Sequence, residues 1–113
     1  RLYEQQSQYA EAVELIKRAY VLNPDKAFFH LGSVYFFLRE SDIEAYKRLV
    51  LQSPNNAPYR IVLGMLYLRV GDEQSANKEL AVLRTLDREM ASLLTYVIAN
   101  CESGRPTFCR KSN

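Results

Sequence analysis

The sequence is poor in the residues that most often announce a chemistry. There is one histidine, His30, and there are two cysteines, Cys101 and Cys109, in 113 residues. Two cysteines are too few for a disulfide scaffold, and they lack the paired spacing of a zinc site. With Gly104 and Pro106 between them they either close a small loop disulfide or remain two thiols, and the compartment stays open, cytoplasmic or periplasmic. No glycine-rich phosphate loop, metal signature or nucleophile elbow is present, so no cofactor, no metal and no enzyme activity are expected. Formal net charge is only +2, with acids and bases interspersed, which argues against nucleic acid as a partner. No apolar run approaches the roughly 18 residues that cross a bilayer, and no signal-like segment opens the chain. A soluble protein without direct membrane insertion is expected. Sustained alternation and Asn-Gly or Asp-Gly turns are missing too, which removes the usual marks of strands and hairpins.

What is present is helix after helix. Residues 1–6 read as the end of one helix, with a break expected at Ser7-Gln8. From Tyr9 to Leu22, apolar residues at Tyr9, Ala12, Val13, Ile16, Ala19 and Tyr20 share one helical face, with a Glu14–Arg18 pair expected on the other. Asn23-Pro24-Asp25 ends that helix and starts the next, because proline suits a first turn and its predecessor avoids helical angles. Lys26–Leu38 is unusually aromatic, with Phe28, Phe29, Tyr35, Phe36 and Phe37. Ser41 followed by Glu44 reads as a capping box opening a third helix, about Asp42–Gln52, with Glu44 a turn before Arg48. Ser53-Pro54-Asn55-Asn56 is the next break. A helix from about Ala57 to Val70 ends at Gly71, Asp72 caps one reaching about Leu86, and Asp87 caps a last one, Arg88–Glu102. A short basic tail, 103–113, follows. Links this short force neighbouring helices to lie antiparallel.

The helices also repeat. Leu31-Gly32-Ser33-Val34-Tyr35 matches Leu63-Gly64-Met65-Leu66-Tyr67, while Ala12, Ala45 and Ala76 recur on the intervening helices and Pro24 and Pro54 close successive units. Glycine and alanine at these phases let paired helices approach closely, and each pair is apolar on faces it cannot bury alone. The pattern resembles the tetratricopeptide repeat (TPR) family, with its period of about 34 residues. The likeness covers residues 1–102, divided as a partial first repeat (1–24), a second (25–56), a third (57–86) and a capping helix (87–102). Pro24 to Leu31 is two residues short of the family spacing and Ala45 to Pro54 three short, so the second unit is irregular. Tyr3 falls in the phase of Tyr35 and Tyr67, so Arg1 is expected to lie inside a helix whose start is missing. In the last helix Met90, Leu93, Leu94, Val97, Ile98 and Cys101 make one apolar stripe, and Ile98 stands where the pattern wants glycine.

The resemblance implies an all-α, right-handed superhelical array of antiparallel helix pairs with a C-terminal cap. It implies a protein-interaction module that binds a polypeptide, as scaffold, adaptor or chaperone-like escort; short arrays of this kind serve secretion, pilus and envelope assembly as well as eukaryotic co-chaperones. The family's groove positions fall on Lys26, Phe29, Ser33, Phe36 and Phe37 in one helix and on Pro58, Ile61, Met65, Leu68 and Arg69 in another. The implied ligand is apolar or amphipathic, with Lys26 and Arg69 selecting acids at the edge. The basic clamp by which some members hold acidic C-terminal peptides has no counterpart, since Ser33, His30, Pro58 and Val62 occupy its positions. The alternative is a self-packing or dimerising section of a longer solenoid, with the groove filled by the protein itself or by a homo-oligomeric partner.

Overall fold

Why the helices begin and end where they do is visible in their caps. In the computed structural model the backbone is described for residues 2–102 and the side chains for residues 8–100. Over that range there are six helices and no strand: α1 (Leu2–Leu22), α2 (Pro24–Phe37), α3 (Asp42–Gln52), α4 (Ala57–Arg69), α5 (Glu73–Leu86) and α6 (Arg88–Glu102). Asn23 accepts the Lys26 N–H at 3.2 Å and Asn56 the Tyr59 N–H at 3.0 Å. Asp72 does the same for Ser75 and Asp87 for Met90, each at 3.1 Å. Each of these satisfies a donor that a helix start leaves unpaired, worth about 1 kcal/mol. Gly71 has φ 83°, which only glycine adopts without strain, and it permits the Asp72 N–H to reach back to the Tyr67 carbonyl at 2.8 Å.

Three local expectations are corrected. Ser7-Gln8 does not break the chain, and α1 is continuous from Leu2 to Leu22. Serine and glutamine lower helix propensity by only tenths of a kcal/mol, too little to stop a helix that has packing along its length. Ser41 makes no capping bond; Asp42 reaches back instead and accepts the Arg39 N–H at 2.9 Å. On the solvent faces, Glu14 pairs with Lys17 and Glu44 with Lys47, one residue short of the arginines expected. Tyr3, Cys101, Cys109 and the basic tail lie outside the described side chains.

One core joins all six helices. Helix α4 packs against α1, α3, α5 and α6, and α1 in turn covers α2, α4 and α6. Eight of the thirteen residues of α4 are buried, on every side of the helix. At Gly64 an added Cβ would stand 3.0 Å from Leu94 Cδ2, so the missing side chain is what lets α6 close onto α4. The stripe expected on α6 is inside: Met90, Leu93, Leu94 and Val97 are wholly covered and Ile98 nearly so. Each such side chain contributes about 1.5–3 kcal/mol by leaving water.

Polar contacts fasten the ends of this packing. Lys17 of α1 donates to Asp87 at the start of α6, 2.9 Å away, with both side chains mostly covered. Burial pushes the Asp87 carboxyl up, but the Lys17 ammonium and the Met90 N–H outweigh it and hold it below its ordinary value. The same bond raises Lys17. Across from them Tyr96 donates to Asp25 at 2.5 Å and stands edge-on to Phe28 and Tyr20, tying α6 to both helices of the first pair.

Candidate functional site

The two helices expected to wall a groove meet different fates. On α2, Ala27, Leu31, Tyr35 and Leu38 at its end face the core. At 100° per residue, Phe29, Ser33, Phe36 and Phe37 fall on the opposite side, with Lys26 in line. All five are exposed, and the three phenylalanines stand 73%, 77% and 63% open to solvent. Soluble chains scatter single apolar residues over their surfaces; three aromatic rings in one row on one helix are a patch. Phe36 and Phe37 stand edge-to-face, 5.5 Å between centroids. At the end of the row an open depression of about 610 Å³ lies between Phe36, Phe37, Arg39, Glu40 and Arg69.

On α4 the picture reverses. Ile61 and Met65 are 0% exposed and Leu68 is 4% exposed, so none of them presents a surface to a ligand. Four helices, α1, α3, α5 and α6, lie against α4 and enclose it. Pro58 is half-buried in the first turn. Arg69 does not stand at an edge waiting for an acid. Its guanidinium donates to the Tyr35 carbonyl at 3.1 Å and to the Leu38 carbonyl, and it lies 5.0 Å over the Tyr35 ring. It therefore closes the C-terminal end of α2, where unpaired carbonyls and the helix dipole favour a cation. Of the eight expected groove residues, Phe29, Ser33, Phe36 and Phe37 share an open face, Ile61, Met65 and Leu68 are core, and Arg69 is a tie between helices.

His30 is exposed beside Phe29, with ring centroids 6.0 Å apart. Among the described residues no group of three metal-ligating side chains comes together, and no helix is long and apolar enough to cross a membrane. Arg60 of α4 is a clamp that the sequence reading did not single out. Its guanidinium meets Glu79 of α5 at 3.0 Å and the Pro54 carbonyl at 2.9 Å, with both charged side chains mostly covered.

The division of α2 was readable from its own spacing. A wheel drawn over 26–38 separates the two faces, and the aromatic content alone hides the difference. Three comparisons bear on family membership, and in them no family model, no curated protein and no solved structure significantly matches the chain.

Proposed function

We propose that this chain is a protein-interaction module of the tetratricopeptide-repeat kind, a scaffold or adaptor rather than an enzyme. It holds an apolar or amphipathic polypeptide against the outer face of α2. The observation that carries the reading is the row of Phe29, Phe36 and Phe37, open to water and opposite the core face of the same helix. A helix that is apolar on both sides has one side left to cover, and aromatic rings are the side chains most enriched where proteins meet. The repeat reading draws its support from consecutive packing of α3, α4, α5 and α6 and from the close approach at Gly64. Against a fully open array stand the contacts of α1 with α4 and α6 and the burial of Ile61, Met65 and Leu68. The docking face is therefore moved from the α2–α4 groove to α2 alone.

The test is affinity capture with the intact protein and with Phe36→Glu/Phe37→Glu, followed by mass spectrometry. Both residues are exposed, so circular dichroism and melting are expected to stay unchanged while captured partners are lost. Recovery of the same partners by the double variant sinks the proposal.

A further inference from the structure

We infer that the segment which covers the outer face of α2 is the same face of a second copy of this chain, laid antiparallel across it. This rests on the reading of α2 as the docking face and names its occupant.

The first argument is area. At 73%, 77% and 63% exposure, the three phenylalanines leave uncovered about two whole residues' worth of aromatic surface. That is about 400 Å² per copy and about 850 Å² for a pair, taking about 200 Å² for each phenylalanine. Lys26, His30, Ser33 and Glu40 flank the row and are exposed as well. They carry the pair past about 1,000 Å², where specific association between proteins begins.

The second argument is that the row is complementary to itself. Ser33 is its midpoint, with Phe29 four positions before it and Phe37 four after. A two-fold axis at Ser33 sets Phe29 of one copy against Phe37 of the other, with Phe36 beside them. The small Ser33 side chain at the crossing leaves room for the helix axes to come within about 8–10 Å. Lys26 stands in the first turn of α2 and Glu40 in the turn beyond its end at Phe37, so an antiparallel pair brings side chains of opposite sign toward each other at its two edges. An antiparallel pair also sets the positive end of each helix dipole near the negative end of the other. With an acid and a base at each flank, Asp25 and Lys26 at one end and Arg39 and Glu40 at the other, a strongly acidic or strongly basic peptide gains nothing here that a second copy does not.

Sedimentation equilibrium of the intact chain from about 1 to 500 µM, together with Ser33→Cys, tests this. The weight-average mass is expected to climb from the 13.1 kDa of one chain toward twice that value. Phe36→Glu is expected to weaken the dimer at least about 100-fold with unchanged helical content. Ser33→Cys places two thiols at the axis, so mild oxidation is expected to give a disulfide-linked dimer above the background set by Cys101 and Cys109. A wild-type chain that stays monomeric throughout overturns the inference, as does a Ser33→Cys chain that links no better than background. The two readings fail separately. A monomer whose captured partners depend on Phe36 removes the second copy and keeps the docking face; a monomer whose partners ignore Phe36 removes both.

Discussion

Replacing Arg69 with alanine asks whether this side chain works for the fold or for a ligand. In the structure its guanidinium donates to two carbonyls at the end of α2, those of Tyr35 and Leu38, and lies over the Tyr35 ring. A hydrogen bond from a charged donor is worth about 1.5–3 kcal/mol, and the lower end applies here because Arg69 is only half-buried. The ring contact adds about 0.5–1 kcal/mol, and a cation at a helix C-terminus about 0.3–1 kcal/mol. Water replaces part of what is lost, since the opened carbonyls lie near the surface. The expected net cost of Arg69→Ala is about 2–3 kcal/mol, or about 8–12 °C in melting temperature at about 4 °C per kcal/mol for a chain of this size. Arg69→Lys keeps the charge but not the fork, and is expected to recover less than half. Thermal and urea melts followed at 222 nm read both. If Arg69→Ala melts within about 2 °C of wild type, the tie between α4 and α2 carries no weight and the reasoning fails.

Met65 and Phe37 make a second test, since the repeat pattern puts them on one groove and the structure on opposite sides of the surface. Met65→Glu buries a carboxylate among wholly covered neighbours and is expected to abolish cooperative melting, whereas Phe37→Glu is expected to shift stability by no more than about 0.5 kcal/mol. A double-mutant cycle on Arg60 and Glu79 is expected to give a coupling of about 1–2 kcal/mol, between exposed and buried ion pairs, because both side chains are mostly covered. A coupling near zero would mean the pair is ornamental. On the acid side, Asp72 is held below its ordinary value of 3.8 by the Ser75 hydroxyl and N–H, and Asp87 lies below the same value for the reasons given above. A carboxyl lowered by folding stabilises the native state above its unfolded pKa and loses that contribution as pH falls through the folded one. The urea midpoint is thus expected to drop below about pH 4, and less steeply in Asp87→Asn. Lys17, raised above 10.5, keeps its contribution through neutral pH and loses it only in strong alkali.

Helix existence and ends were legible because short-range chemistry decides them. Proline after asparagine, aspartate three residues before a free N–H, and glycine at a left-handed turn each act within a few residues. The site was half legible. A helix wheel finds the outer row of α2, but nothing local to Ile61, Met65 or Leu68 says that α4 will be enclosed by four other helices, α1 among them. The α1–α4 contact joins segments far apart in the chain, and a repeat pattern assumes each unit meets only its neighbours. The tie made by Arg69 was hidden for the same reason: its partners are two backbone carbonyls more than thirty positions away, and backbone carbonyls leave no mark in side-chain identity. The Ser7-Gln8 break failed differently, through weak local preference overridden by packing along α1.

The bond between Lys17 and Asp87 spans seventy positions and ties α1 directly to the start of α6. In a linear array, end units fray first and a stretch can be added or lost with only its neighbour disturbed. Here α1 is a wall of α6, so loosening either helix uncovers the other. Helices tied in this way are expected to melt as one unit and to tolerate no unit inserted between α1 and α6 on the face that they share.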